Sequence, residues 1–83
     1  MDQIARTPKQ IGQAIRRARR NTNATQAQLG EKAMLRQETV SKIEGGNKAA
    51  RIESICDLLT ALDLELVVRS RTSGDAKDIE DIF

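Results

Sequence analysis

Apolar residues recur every three or four positions along most of the chain, the spacing at which one face of an α-helix repeats. The first stretch with this spacing comprises Ile11, Ala14, Ile15 and Ala18. Thr7 is a preferred capping residue and Pro8 is favoured at the first position of a helix, so the first helix is predicted to begin there and to end near Asn21. Residues 1–6 lack this spacing and are expected to form a flexible arm.

A second, shorter helix is predicted after the polar turn that ends the first one. Thr25 can cap it, and Gln28 occupies the position whose side chain, in a capping box, accepts a hydrogen bond from the backbone amide of the capping residue. The helix is expected to run from Gln26 to about Ala33, with Leu29 and Ala33 facing inward.

A third helix follows after a very short connection, Met34-Leu35. It is predicted from about Arg36 to Glu44, with Val40 and Ile43 facing inward. Gly45-Gly46 is expected to end it, because glycine readily adopts the left-handed backbone that closes helices.

The fourth helix is predicted over roughly Arg51–Leu62, after a basic loop. Its inward face is expected to comprise Ile52, Ile55, Leu59 and Leu62. Cys56 and Leu58 stand beside this face, and we expect Cys56 to be a small core residue rather than a reactive thiol.

The period then changes to two residues, which indicates a half-buried strand. Leu64, Leu66 and Val68 alternate with Glu65, Val67 and Arg69. A single strand leaves its backbone groups unpaired, so we predict a homodimer joined by an intermolecular two-stranded sheet. The alternative, nearly as compatible with the spacing, is an extended segment that packs on the fourth helix.

The last residues, Ser70–Phe83, are small, polar and acidic, and we expect them to be disordered. Ile79, Ile82 and Phe83 have the spacing of a short amphipathic turn that could order on a partner. A terminal degradation signal and simple fraying are the alternatives, of which fraying is the simplest.

Composition excludes several classes of function. The 83 residues contain no His and one Cys, which leaves no internal disulfide, no plausible zinc ligand set and no His-based catalysis. No apolar run approaches the length of a membrane span, and the N-terminus does not resemble a secretory signal. We therefore expect a cytoplasmic binding protein that is not an enzyme and has no catalytic residue, metal or cofactor.

The charge is divided unevenly along the chain. Residues 1–51 contain eleven bases and four acids, a net charge of +7, whereas residues 52–83 have a net charge of −5. The first part is therefore suited to a polyanion and the second is repelled by one, which favours nucleic acid as a partner of the first part.

The second and third helices, joined by a short turn, have the arrangement of a helix-turn-helix, whose second helix enters the major groove of DNA. The side of the third helix opposite Val40 and Ile43 comprises Gln37, Glu38, Ser41 and Lys42. Such side chains can form hydrogen bonds with base edges. An ordinary solvated helix face is the alternative interpretation. Proteins that bind single-stranded RNA stack its bases on aromatic side chains. An RNA-binding or adaptor domain is disfavoured because this chain has one aromatic residue, Phe83.

The segments TQAQLGEK (25–32) and RQETVSKIEGG (36–46) resemble the helix-turn-helix of phage-repressor-type regulators of the Cro/CI or XRE class. The resemblance extends over about Ile11–Leu62 and implies an all-α, lambda-repressor-like domain of four to five helices. The segment LDLELVVR (62–69) is similar to the C-terminal β-strand through which HipB-type antitoxins pair across a homodimer. Met34, Arg36 and Ala50-Arg51 depart from the family pattern, which often has Gly, Ser and Pro-Ser there.

The resemblance implies a dimeric repressor of an inverted-repeat operator that also binds a HipA-type Ser/Thr kinase toxin, either single-chain or split. A phage-type or metabolic regulator without a toxin is the alternative. The implied domains are an arm (1–6), a DNA-binding domain (7–62), a dimerisation strand (63–71) and a disordered acidic tail (72–83).

The resemblance also implies individual roles. The base-reading residues are Gln37, Glu38, Ser41 and Lys42. The phosphate contacts are Gln26, Arg36, Thr39, Lys48 and Arg51, although a solvated loop is equally compatible with Lys48 and Arg51. The residues of the dimerisation strand are Leu64, Leu66, Val67 and Val68. Arg19 and Glu44 are expected to form a structural salt bridge, while Arg16, Arg17 and Arg20 are expected to form a solvated face with at most a steering role.

Overall fold

Four α-helices form from the four amphipathic stretches of the sequence in the computed structural model, which describes residues 3–71. They are α1 (Pro8–Asn21), α2 (Gln26–Ala33), α3 (Gln37–Glu44) and α4 (Ile52–Ala61). The number of helices and their approximate bounds agree with the sequence prediction. The all-α fold class is thus confirmed.

The beginnings of α1 and α2 are fixed by local hydrogen bonds. The Thr7 hydroxyl accepts from the Gln10 amide at 3.1 Å, and Pro8 occupies the first turn of α1. At α2 the Thr25 hydroxyl accepts from the Gln28 amide at 3.1 Å, and the Gln28 side chain accepts from the Thr25 amide at 2.8 Å. Both predicted caps are therefore confirmed, and each satisfies an amide that the helix itself leaves unpaired.

All four helices contribute to one aliphatic core. Its buried members are Ile15 of α1, Leu29 of α2, Val40 and Ile43 of α3, and Ile55 and Leu58 of α4. Of these, Ile15, Val40 and Leu58 are fully enclosed. Because α3 packs against each of the other three helices, the inner face of α3 is buried in the core and its outer face is exposed to solvent.

Gly12 allows α1 to approach α3 closely. A Cβ at this position would contact the carbonyl oxygen of Ile43 and would lie 2.7 Å from the carbonyl oxygen of Glu44. Both atoms are backbone at the end of α3, so they cannot move aside as a flexible side chain could. The absence of a side chain at Gly12 therefore determines how near the two helices lie.

The inward face of α4 differs from the prediction. Ile55 and Leu58 are buried and Leu59 and Leu62 are partly buried, but Ile52 is 62% exposed and Cys56 is exposed. The predicted face was wrong at Ile52 and Cys56 because α4 carries apolar residues around more than half of its circumference. Only the side centred on Ile55 and Leu58 meets the core.

The segment after α4 is extended and carries its apolar side chains in solvent. The Leu64 amide donates to the Leu59 carbonyl at 2.7 Å, and residues 64–71 then leave the helix without regular secondary structure. Exposure is 53% at Leu66, 65% at Val67 and 93% at Val68. Packing of this segment on the fourth helix, one of the two interpretations of its pattern, is not observed in this single chain. The tail residues Ile79, Ile82 and Phe83 lie outside the described residues.

Within residues 3–71, no helix has the length and apolar character needed to cross a membrane.

Candidate nucleic-acid interface

The turn between α2 and α3 has a defined left-handed geometry. Met34 has φ 60° and ψ 40°, its amide donates to the Glu31 carbonyl at 3.2 Å, and the Leu35 amide donates to the Gly30 carbonyl at 2.8 Å. This pair of bonds is the Schellman arrangement that closes helices. The Met34 side chain is 91% exposed while Leu35 packs against the core, so the turn is anchored by Leu35.

The third helix has one buried and one open side. Val40, Ile43 and Glu44 are buried, whereas Gln37, Glu38, Ser41 and Lys42 are exposed. Arg36 immediately precedes the helix, is exposed, and forms no side-chain capping bond. All five of these exposed polar residues are therefore available to an external ligand.

A buried ion pair holds the end of α3 against α1. Arg19 Nε donates to Glu44 Oε2 at 2.7 Å, and Arg19 Nη2 donates to Glu44 Oε1 at 3.0 Å. The guanidinium also donates to the Ala24 carbonyl at 2.9 Å, in the turn before α2. The Gln26 amide nitrogen donates to Glu44 Oε1 at 3.1 Å. Arg19 and Glu44 thus join α1, α2 and α3, and within residues 3–71 every buried side-chain polar atom has a hydrogen-bond partner.

The electrostatics of the pair favour its charged form. Burial raises the pKa of the Glu44 carboxyl. Hydrogen bonds from Arg19 and Gln26 and the charges of Arg19 and Arg16 together lower this pKa by more than burial raises it, so the net pKa is below its ordinary value. The hydrogen bond with Glu44 raises the pKa of Arg19, against an opposing effect of burial. Both groups therefore stay ionised at neutral pH, and the arrangement is structural.

Two of the predicted phosphate-contacting residues and one of the predicted base-reading residues line a single shallow depression. Thr39, Lys42 and Arg51 line it, together with Asn47 and the beginning of α4, around a volume of about 290 Å³. Arg51 precedes α4 and its side chain does not cap the helix, so it leaves the first backbone amides of α4 without a side-chain acceptor from Arg51. Lys48 is exposed in the adjoining loop. This depression combines cationic side chains with the positive end of a helix, which is suited to an anion.

Gln26 stands apart from this group. Its side chain is engaged by Glu44, and it begins α2 beside the C-terminal end of α3. The structure therefore does not bring Gln26 and Arg36 together, since Arg36 precedes the opposite end of α3.

Two features of the site are absent from the sequence prediction. One is the hydrogen bond from Gln26 to Glu44, for which no local signal exists because it depends on how α2 approaches α3. The other is the close approach at Gly12, which does have a signal. A glycine one turn before Ile15 on the inward side of a helix indicates a neighbouring backbone.

The chain matches the family model described as "Helix-turn-helix domain" over residues 10–71. Among solved structures, a complex of a HipB variant with an O2 20mer superposes with a TM-score of 0.80 at 24% identity, covering 87% of this chain and 100% of that one. A HipA-HipB-O2-O3 complex and a HipB-O4 20mer complex each superpose with a TM-score of 0.79 at 22% identity, covering 86% of this chain and 100% of theirs. No curated protein sequence matches the chain significantly.

The family match extends over α1 to α4 and the extended segment, and the fold similarity covers nearly the same residues. The two short helices, their left-handed turn and the open polar side of α3 are all within the matched region. The chain therefore belongs to the helix-turn-helix domain family of DNA-binding regulators, and its fold is that of the HipB structures.

Proposed function

We propose that the protein is a sequence-specific transcriptional repressor that binds an inverted-repeat operator as a homodimer. The observation that carries this proposal is the open side of α3, where Gln37, Glu38, Ser41 and Lys42 are exposed around a helix whose other side is buried. Glutamine can pair with adenine, glutamate can accept from cytosine, and lysine can reach guanine. In a helix-turn-helix, this side of the second helix faces the base edges.

The phosphate contacts fix the register of α3 in the groove. Arg36 precedes the helix, while Thr39 and Arg51 line the depression on its other side, and Lys48 is exposed in the adjoining loop. The start of α2 offers unpaired amides to a further phosphate, and Gln26 begins that turn. The side-chain amide of Gln26 donates to Glu44, so Gln26 either exchanges this partner when it binds a phosphate or contacts the phosphate through its backbone amide.

The homodimer forms through residues 63–71. Leu64, Leu66, Val67 and Val68 expose apolar side chains on an extended segment in which only the Asp63 and Leu64 amides have backbone partners within the described chain. Pairing with the same segment of a second copy satisfies the other backbone groups and covers these side chains.

The proposed biological role is that of antitoxin and autorepressor in an operon with a HipA-type Ser/Thr kinase. Fold similarity to HipB, including HipB in complex with HipA, supports this role. Co-purification of the tagged chain with a kinase encoded beside its gene is the expected result. If no such protein associates and the operator is still bound, the chain is a phage-type or metabolic regulator instead.

Binding to DNA from upstream of the gene tests the base-reading face directly. Gln37→Ala is expected to cost about 1–3 kcal/mol of binding free energy and to relax the preference at one base pair of each half-site. Arg36→Ala serves as the comparison, because losing a phosphate contact weakens all sites more evenly and makes affinity less dependent on salt. Anisotropy titrations with single-base operator variants measure both effects. Unchanged base preference in Gln37→Ala would show that another surface reads the sequence.

The strand is tested by removing backbone donors. Replacing Leu66 and Val67 together by proline removes two adjacent amides, one of which faces the partner strand in either register. Both side chains are exposed, so the monomer fold should persist. Sedimentation equilibrium is expected to give a monomer, with Ser73→Pro, which lies beyond residues 63–71, as the control. A tight dimer that survives both prolines would contradict pairing through this segment.

A further inference from the structure

We infer that one side of α1 is a docking surface for the acidic residues 75–81 of a second copy of the chain, and that this contact competes with DNA. The surface comprises the exposed side chains of Lys9, Arg16 and Arg20, which we call the α1 stripe. The inference rests on the proposed dimer and on its binding to DNA. It gives a ligand to a charged surface that the proposed function does not use.

The α1 stripe is a line of positive charge without an acidic neighbour. Its members are separated by seven and four residues, so they lie on one side of the helix. α1 contains no acidic residue, and the ion pair found within residues 3–71 is the one between Arg19 and Glu44. Arg16 and Arg20 repel each other one turn apart, and Lys9 lies at the end of the helix where the dipole disfavours a cation. These charges destabilise the helix, and an acidic ligand would offset that effect.

The stripe lies against the end of α3 that adjoins the proposed phosphate contact of Gln26. A Cβ added at Gly46, just after α3, would lie 2.8 Å from the Cα of Lys9. Against the raising effect of burial, and together with hydrogen bonds, the positive charge of Arg16 lowers the pKa of Glu44, the last residue of α3. Glu44 accepts in turn from the side chain of Gln26. An acidic segment on the stripe would therefore neutralise positive charge next to a proposed DNA phosphate.

The geometry of the proposed dimer brings residues 75–81 of one copy towards the stripe of the other. The end of α4 adjoins the turn that follows Arg20, because Ala61 and Leu62 line the same depression as residues 22–24. Strands that pair across a two-fold axis run antiparallel, so residue 71 of one copy lies beside residue 63 of the other. The chain beyond residue 71 therefore continues from a point close to the partner's Arg20.

The length of the chain favours the partner's stripe over the stripe of the same copy. Residues 75 and 81 are four and ten residues beyond residue 71. An extended chain of that length spans up to about 13–36 Å, and the stripe is about 17 Å long. To reach its own stripe, the chain would first have to return along residues 63–71, a distance of about 27 Å.

Charge identifies this part of the chain as the occupant. Residues 72–83, which lie outside the described residues, contain one base and four acids, a net charge of −3. The four acids are Asp75, Asp78, Glu80 and Asp81. A tethered segment has an effective concentration in the millimolar range, so ion pairs that are weak individually suffice to hold it. The more densely charged DNA backbone displaces it, and the apparent affinity for DNA is lowered by this competition.

Zero-length cross-linking tests the docking without DNA. Arg16→Lys keeps the positive charge and introduces an amine that a carbodiimide couples to nearby carboxylates. In the full chain, mass spectrometry is expected to find amide links from position 16 to residues 75–81. The matched control is Arg17→Lys, which is also exposed but faces another direction, and it is expected to give at least about fivefold fewer links. In an equal mixture of ¹⁵N-labelled and unlabelled protein, about half of the links should join the two labels, since the proposed dimer places the acids on the other copy.

A second measurement tests the competition with DNA. In the full chain, the combined changes Asp75→Asn, Asp78→Asn, Glu80→Gln and Asp81→Asn are expected to lower the Kd for operator DNA about threefold to tenfold. Removal of long-range repulsion would also lower this Kd, so the four changes are repeated in two backgrounds. With Arg16→Gln the gain in affinity should fall by at least about half, whereas with Arg17→Gln it should persist. An equal gain in both backgrounds would show repulsion without docking and would overturn the inference.

The remaining outcomes separate this inference from the proposed function. Links that stay within one copy, or that show no preference for position 16 over position 17, would overturn the docking even in a protein that represses its operator. Weaker DNA binding by Arg16→Gln, together with no effect of the four neutral changes, would show that DNA itself occupies the stripe. A wild-type chain that gives the links between copies but does not bind operator DNA would retain the docking and contradict both the competition and the proposed repressor.

Discussion

Among single residues, Arg19 contributes to the fold rather than to the surface on which its neighbours lie. Four arginines occupy α1 within a short stretch, yet only Arg19 is buried, with its guanidinium bonded to Glu44 and to the Ala24 carbonyl. Burial of this charge is tolerated because the buried N–H donors of the guanidinium are hydrogen-bonded to a carboxylate or a carbonyl oxygen.

Arg19→Ala is expected to lower the free energy of unfolding by about 3–5 kcal/mol, since it leaves the Glu44 carboxylate buried without its cation. This is comparable with the whole stability of a small domain. Urea denaturation followed by circular dichroism measures the change. Arg16→Ala is the control, because Arg16 is exposed and its removal should cost less than about 1 kcal/mol. Wild-type stability in Arg19→Ala with weakened DNA binding would contradict the structural role.

The Glu44 carboxyl also predicts a dependence of stability on pH. Its pKa is lower in the folded protein, so its ionisation stabilises the fold above the ordinary glutamate pKa, about 4.3, and this contribution disappears as the pH falls through the folded-state value. Glu44→Gln is expected to be less stable than the wild type by roughly 3 kcal/mol at neutral pH. The difference should shrink steadily as the pH is lowered towards 3. Urea denaturation of both proteins across this range tests it, and a difference that does not change with pH would contradict it.

Among the elements, the turn between α2 and α3 carries backbone strain that its sequence does not relieve. Met34 adopts φ 60° with its side chain 91% exposed, so the side chain gains little from packing. Left-handed backbone costs a residue with a side chain about 1–2 kcal/mol. A helix-turn-helix with methionine here is therefore less stable than the same fold with glycine.

Met34→Gly is expected to raise the free energy of unfolding by up to about 1 kcal/mol, because relief of strain exceeds the added entropy of the unfolded chain, about 0.4–1 kcal/mol. Asn23 has φ 59° and provides the comparison. Asparagine tolerates this conformation better, so Asn23→Gly should gain less or nothing. Thermal melts of both variants measure the effect, and a destabilised Met34→Gly would contradict the strain.

The helices could be predicted from the sequence where local signals determine them. Thr7 and Thr25 cap their helices through bonds to residues three positions along, which the sequence itself contains. The inward side of α4 could not be predicted fully, because Ile52 and Ile55 are equally apolar and only the packing of α2 and α3 selects between them. The bond from Gln26 to Glu44 likewise depends on how two helices meet, although Arg19 and Glu44 followed from the family resemblance.

At the scale of the whole molecule, charge and apolar surface are separated. Residues 1–51 carry +7 and include α3 with its proposed phosphate contacts, whereas residues 52–83 carry −5 and include α4 and the extended segment. A DNA duplex attracts the first part and repels the second. The proposed dimer therefore directs its acidic, apolar part away from the duplex and presents two copies of α3 to the same side.

This arrangement makes the spacing of the operator half-sites a strict requirement. Two α3 helices fixed by one interface can enter successive major grooves only when the half-sites face the same side of the duplex, about one helical turn or a multiple of it apart. Inserting about 5 bp between the half-sites rotates one of them by half a turn, and affinity is expected to fall to that of a single half-site. Inserting a full turn keeps the facing but changes the distance, so it tests how rigidly the interface holds the two copies. Gel-shift titrations of the three operators measure both effects, and equal affinity for all three would indicate that each chain binds its half-site independently, contrary to the dimer proposed here.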